Sequence, residues 1–190
     1  MKGKINILSS VKKINYLTPP SHIVLVSTIS KNGIRNVAPF GMFMIASSKP
    51  PMVAIGVSPK SDTYRNIVDT KEFVVGIPMY ECLDKLYKAG DKLPPEKDEF
   101  QYSGLTPYNS NSIAPAKIVE CCVNIECKLN WLKESGNHFL ICGDVIDADI
   151  NKELITFVED SIKLRTSLDC AYHITSSNFA VGFCEIKDVK

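Results

Sequence analysis

Apolar residues along this chain fall in runs that end at turn signals. Residues 22–30 are rich in Ile and Val, as a mostly buried strand would be. Lys31-Asn32-Gly33 follows and predicts a hairpin, since Asn-Gly tolerates positive φ at both central positions. Residues 34–47 then read as one long strand that bends near Pro39 or Gly41. Pro50-Pro51 turns the chain into a further strand over 52–58.

A short polar segment comes next, Ser58-Pro59-Lys60-Ser61-Asp62-Thr63. Ser61 or Asp62 is placed to cap a short helix running to about Val68. Residues 73–77 form the next apolar run, and 80–89 set Leu83, Leu86 and Tyr87 at helical spacing. The stretch 90–116 is polar at its start and carries Pro94-Pro95, which predicts a surface excursion. A second long strand is expected over 118–131. Ser135-Gly136-Asn137 makes a turn, and 138–148 forms the antiparallel partner. Beyond Asp149 a helical turn is expected at 151–153, residues 157–165 stay ambiguous, and 179–186 reads as a closing strand. The first twenty residues form an arm that ends in Thr18-Pro19-Pro20, a sequence that blocks helix. At least six strands joined by hairpins, with two short helices, predict a mainly β domain spanning 1–190, built as a closed antiparallel barrel.

Composition narrows the function. The 22 basic and 21 acidic side chains nearly cancel, and no Lys/Arg-rich face stands out, so no nucleic-acid footprint is expected. Seven cysteines without two-residue gaps read as buried thiols in a reducing compartment rather than as a metal or disulfide framework. Cys142, near His138 in sequence, is the first to label chemically. The opening ten residues hold a short, interrupted apolar patch, so no signal peptide is expected. No apolar run approaches the roughly 20 residues that span a bilayer. A soluble, cytoplasmic protein without membrane contact is the expectation.

Several chemistries drop out on motif grounds. No Gly-x-Gly occurs, which removes both Rossmann and Walker A phosphate loops, and no Gly-x-Ser-x-Gly elbow is present. His22, His138 and His173 lack the spacing of a helical zinc site, and no metal site is expected. Three polar constellations remain. In the first, a capped helix start beside Ser58, Lys60, Ser61 and Thr63 offers backbone N–H groups, a positive dipole end and an ammonium to an anion. In the second, Asn36-Val37-Ala38-Pro39-Phe40-Gly41 sets small and polar residues inside an apolar strand, where free backbone groups could meet a flat polar ring edge. The third, Gly136-Asn137-His138, places a histidine just after a hairpin turn. Read locally, each also has a plain structural explanation: a capped helix with nothing bound, a bend in a barrel strand, and a half-exposed surface histidine.

The order of these residues resembles the flavin reductase-like, flavoredoxin-type FMN-binding split barrels. The similarity is carried by Gly33, Asn36 with Ala38-Pro39-Phe40, Ser47 before Pro50-Pro51, Lys60, Asp62-Thr63 and Asn66-Ile67. It continues through Lys71-Glu72-Phe73-Val74-Val75, Asp98-Glu99-Phe100, Gly104-Leu105, Pro115 and Glu126-Cys127-Lys128-Leu129. Gly136-Asn137-His138 and Gly143-Asp144-Val145 complete it. The resemblance implies an antiparallel, Greek-key-like split barrel. It also implies FMN, with its ring system along Asn36, Val37, Ala38, Pro39, Phe40 and Ser47 and its phosphate at Ser58, Lys60, Ser61 and Thr63, near Asn66. His138 would meet a nicotinamide or substrate, with NADH, NADPH or a redox partner protein as electron donor. A homodimer with flavin near the subunit interface is implied as well. The function that follows is an FMN-binding oxidoreductase, and the alternative is a non-enzymatic FMN-binding electron carrier, store or sensor. The chain departs from the pattern at Gly76, Gly41 and Asn137, which stand where the family often has Asn, Ser and Asp.

Overall fold

The computed structural model describes residues 21–158, 161–164, 170–175 and 178–182, with side-chain surroundings through residue 154. The arm expected over 1–20 and parts of 157–165 and 179–186 lie outside the described residues. In chain order the strands begin with β1 Ser21–His22, β2 Val24–Ile29, β3 Arg35–Phe40, β4 Phe43–Ser48 and β5 Pro51–Val57. Helix α1 Asp62–Thr70, strand β6 Glu72–Pro78, a 3-10 turn Tyr80–Cys82, α2 Leu83–Lys88 and α3 Glu99–Ser103 follow. Then come β7 Pro107–Tyr108, β8 Lys117–Ile118, β9 Cys121–Ser135 and β10 His138–Ile150. A 3-10 turn at Lys152–Leu154 leads to β11 Ile155–Val158, β12 Ser161–Leu164, β13 Cys170–Thr175 and β14 Asn178–Gly182.

Seven strands form one antiparallel sheet in the order β3-β2-β6-β9-β10-β5-β4. Its two outermost strands, β3 and β4, are consecutive in the chain. The expected single bent strand over 34–47 is therefore two strands, broken at Gly41-Met42 and sent to opposite ends of the sheet order. At that corner the Met42 carbonyl accepts the Gly56 N–H at 2.9 Å, and the sheet curls toward closure.

Two apolar clusters explain why several strands read as continuous rather than alternating. Inside the barrel, Val24, Val26, Ile55, Val57, Phe73, Val75 and Ile141 meet Ile67 from α1, which plugs one mouth. On the outer face of β2 and β3, Leu25 and Val37 are covered by Leu86, Ala89, Phe100 and Leu105. β2 is thus buried on both faces, and its run Val24-Leu25-Val26 carries no polar break. The stretch 90–116, expected as a surface excursion, is anchored by this second cluster: Phe100 on α3 is fully buried. Polar residues around it hid a helix whose N-cap, Asp98, accepts the Gln101 N–H at 3.1 Å.

Both tight hairpins turn on a glycine. In the first, Gly33 has φ +80 while Asn32 stays at ordinary negative φ. The turn is a three-residue loop, with Ser30 N–H bonded to the Ile34 carbonyl, rather than the two-residue Asn-Gly type expected. In the second, Gly136 with φ +62 links β9 to β10, and Ser135 faces His138.

A third feature is electrostatic. Lys117, on β8, is almost wholly buried and points its Nζ at Glu126 (2.9 Å), Asp149 (2.8 Å) and Asp147 (3.6 Å). Glu126 also accepts the backbone N–H groups of Asn111 and Ser112, tying the 107–118 strap to β9. Burial alone would depress the ammonium pKa, but Asp149 and Glu126 outweigh it and hold Lys117 charged.

Candidate functional site

Helix α1 begins where the sequence places its cap. Ser61 is extended, and its Oγ accepts the Tyr64 N–H at 3.1 Å while donating to the Ser58 carbonyl at 2.8 Å. Its hydroxyl is thus committed to the cap rather than offered to a ligand. The Ser58 Oγ accepts the Lys60 N–H at 3.3 Å. The N–H groups of Asp62 and Thr63 lie in the first turn, which has no preceding helical carbonyl to receive them. Lys60 stands exposed beside them. A helix start with two first-turn amides and an adjacent ammonium suits a phosphate.

Thr63 is positioned differently from the expectation. It is 1% exposed and its hydroxyl donates inward to the Asn36 Oδ1 at 3.0 Å. The same oxygen accepts the Thr28 hydroxyl at 3.1 Å, and the Asn66 Nδ2 donates to Thr28 at 3.1 Å. Thr28, Asn36, Thr63 and Asn66 therefore form a buried polar knot under α1. In this arrangement Asn36 meets the helix with its oxygen end, and its side chain is 6% exposed.

The second constellation is corrected in the same way. The Val37 N–H reaches the Glu99 Oε2 at 2.9 Å, so it points away from β2. Alternation then turns the N–H groups of Asn36, Ala38 and Phe40 toward β2, and Pro39 has none. The free backbone donors expected at the Ala38 to Phe40 bend are thus taken up by the ladder or by Glu99. What the bend offers is shape: Ala38, Pro39 and Phe40 are half-buried, and Phe40 packs on the barrel core.

Strand register brings His138 to the phosphate-suited turn. Phe139 faces Val57, the last pair of the β5–β10 ladder, and His138 and Ser58 are the next residues beyond that end. The Tyr64 and Phe139 rings, 4.9 Å apart, join α1 to β10 at this point. The His138 Nδ1 lies 2.8 Å from the Asn137 Oδ1, an oxygen that can only accept, so Nδ1 is the donor in this contact. Ser47 lies elsewhere. It faces Met52 at the start of β5, roughly 17 Å along the strand from Val57.

A cavity of about 590 Å³ opens between the β2–β3 hairpin, α1 and residues 95–99. Asn36 and Asn66 reach it from the sites named by sequence, and Arg35, Asp62, Arg65 and Glu99 complete much of its wall. Arg65 pairs with Asp62, and Arg35 with Asp98 at 2.6 Å. Glu99 was missed by sequence reasoning as a site residue. It is 8% exposed, and burial pushes its carboxyl up to about 7 against the opposing hydrogen bonds from Val37 and Asn36. The detectable signal was Asp98-Glu99-Phe100 itself, an N-cap, an acidic first-turn residue and an apolar anchor in succession. All five cysteines with described side chains are buried free thiols, including Cys142, whose pKa burial raises. Among the described residues no group of three or more His, Cys, Asp or Glu is arranged to hold a metal ion, and no helix is long and apolar enough to cross a membrane.

The fold defines the class: a mainly β protein built as an antiparallel split barrel with short helices. The chain belongs to the flavin reductase-like family: the family model described as "Flavin reductase like domain" matches residues 17–161. A protein of Aquifex aeolicus with no described function is 43% identical over 118 residues, covering 60% of each chain. Flavoredoxin of Desulfovibrio vulgaris (Miyazaki F) superposes with TM-score 0.82 at 21% identity, covering 99% of this chain and 97% of its own. The FMN-binding protein from Thermus thermophilus gives TM-score 0.82 at 16% identity, covering 98% and 99%. At these identities the two structures establish the shared fold. A flavin reductase of Pseudomonas putida is 26% identical over 135 residues, covering 70% of this chain and 75% of its own.

Proposed function

We propose that this chain binds FMN and passes electrons through it, from NADH, NADPH or a protein donor to an acceptor, as a cytoplasmic homodimer. The observation that carries the reading is the meeting of Lys60, the first-turn amides of Asp62 and Thr63, and His138 at one mouth of the barrel. Flavoredoxin and the FMN-binding protein, alike in fold, support the choice of cofactor.

The residues present suit the group. Lys60, Ser58 and the two amides would take the phosphate, with Ser61 fixing the helix start through its cap. The half-buried bend of Ala38, Pro39 and Phe40, continuing toward Ser47, would take the ring system. Bound flavin supplies the hydride or electron chemistry. The chain's own part is to orient and to keep water out. Phe40 and Phe43, packed on the barrel core, give an apolar wall, while Asn36 is locked by its two hydroxyl donors. His138, with Nδ1 turned to Asn137, would use Nε2 to meet a carboxamide such as that of a nicotinamide.

Met42, just before β4, and Met44 and Ile45 on it are exposed (50%, 54% and 75%) at the last position of the sheet order. An apolar sheet end of this kind favours pairing with a second copy. The decisive experiment is an FMN titration of the purified protein, followed by anaerobic addition of NADH or NADPH. A yellow complex bleached by either nucleotide is expected. Failure to bind FMN would overturn the proposal. Binding without bleaching by either nucleotide would move the reading to a protein donor or to an electron carrier.

A further inference from the structure

Glu99 is the buried carboxylate that the function above leaves without a role. It sits on the first turn of α3, yet it reaches across to β3 and takes the Val37 N–H at 2.9 Å. Its second contact is the amide of Asn36. The orientation of Asn36 is set jointly: its oxygen receives the Thr28 and Thr63 hydroxyls, and its other end faces a carboxylate that, when ionised, can only accept. Its NH₂ end must therefore meet an acceptor, and an ionised carboxylate supplies two. Arg35, the nearest cation on β3, is held by Asp98 and does not neutralise Glu99. The other charges around the cavity cancel in pairs, Lys31 with Asp69 and Arg65 with Asp62, while Glu96 and Lys97 share the adjoining loop.

We infer that Glu99 is a positioning residue for the flavin: its carboxylate fixes Asn36 and Val37 and so holds the Ala38 to Phe40 bend in the shape the ring system needs. This rests on the FMN reading given above. The ionised form grips both donors. A protonated carboxyl turns one oxygen into a hydroxyl, which serves poorly as an acceptor for the locked Asn36 amide, and the bend loosens. Glutamine at this position mimics that state at every pH, since its own NH₂ would confront the NH₂ of Asn36.

The test is FMN affinity of the wild type and of Glu99→Gln between pH 6 and pH 8, by fluorescence titration. Taking the ratio of the two dissociation constants removes the titration of the FMN phosphate and any other pH effect that both proteins share. The wild type is expected to bind about tenfold tighter at pH 8, the worth of one charge-assisted hydrogen bond, with the two converging by pH 6. A ratio that stays constant across the range would overturn the inference, because a purely structural defect has no reason to titrate near 7. Should Glu99→Gln not fold, the wild type alone suffices. The Val37 amide resonance is expected to titrate near neutrality, with a midpoint that FMN shifts downward; an unmoved midpoint overturns the inference. If the wild type binds no FMN at any pH, the cofactor reading fails first and Glu99 loses this role with it.

Discussion

The rings of Tyr64 and Phe139 pack 4.9 Å apart at 44°, and this contact fastens α1 to the strand that begins at His138. The phosphate-suited turn and the histidine come from positions almost 80 residues apart in sequence, and this pair adds a side-chain contact to the β5–β10 ladder that brings them together. A tilted aromatic pair is worth about 0.5–1.5 kcal/mol beyond its buried area. A double-mutant cycle with Tyr64→Leu and Phe139→Leu is expected to show that coupling in urea unfolding. Additive single effects would mean that the rings merely fill space.

Lys60 and Thr63 separate two roles that the sequence placed together. Lys60→Ala removes an exposed ammonium and is expected to weaken FMN binding roughly ten- to a hundredfold, from about 1.5–3 kcal/mol of charge-assisted contact. Its melting temperature without flavin should not change. Thr63→Ala removes one of the two hydroxyl donors to the buried Asn36 oxygen, which costs about 0.5–1.5 kcal/mol of folding stability. Calorimetry of the apo proteins beside FMN titrations checks both, and the opposite assignment would refute the geometry of the helix start.

What the sequence made legible follows from which interactions are local. The N-cap at Ser61, the turn at Gly136 and the apolar runs of β2, β5 and β6 each depend on neighbours a few residues away. Gly41 marked a bend in residues 34–47, but their split there into β3 and β4 depends on which distant strands they pair with, β2 and β5. The inward turn of Thr63 likewise needs Asn36, 27 residues earlier. Glu99 was hidden because its partner, the Val37 N–H, lies 62 residues away, and no local pattern links the two.

Lys117 tests how far one buried charge organises the strap over β9. Replacing it with Met leaves Glu126 buried without its cation, and breaking such a pair costs about 3–5 kcal/mol. The double change Lys117→Met with Glu126→Gln is expected to recover part of that loss. Because the folded ammonium pKa is raised above the unfolded value, its stabilisation is fully present below about 10.5 and is lost as pH climbs beyond it. Alkaline unfolding of the wild type should therefore be steeper than that of the double variant, as followed by circular dichroism.

The apo protein should carry a second pH signature, of opposite origin. Burial raises Glu99 from 4.5 to about 7, so the folded state holds a proton that the unfolded chain releases. The sign is that of a raised pKa: the contribution is complete below 4.5, declines as pH rises to about 7, and is level beyond. Its slope is at most about 1.36 kcal/mol per pH unit. Glu120, held below the usual carboxylate range by Lys85 and Thr106 against its own burial, acts on the other side, losing stability as pH falls below about 4.5. Urea midpoints for wild type and Glu99→Gln are expected to diverge between pH 5 and pH 7, with the variant gaining, and to run parallel above. Parallel midpoints throughout would place Glu99 in contact with water.

Gly143 lies on β10 where that strand bulges against β9, and its missing side chain makes room for Phe73. A Cβ there would fall 2.5 Å from the Phe73 Cζ and 3.1 Å from the Cys127 Cβ. Phe73 is fully buried at the centre of the barrel and has no path by which to yield. Gly143→Ala is therefore expected to overpack the core at a cost of about 1–3 kcal/mol. Pairing it with Phe73→Leu should return most of that loss, since the smaller side chain clears the added methyl. Equal urea midpoints for wild type and Gly143→Ala would show that the barrel interior has slack at the one place where its wall and its largest core ring meet.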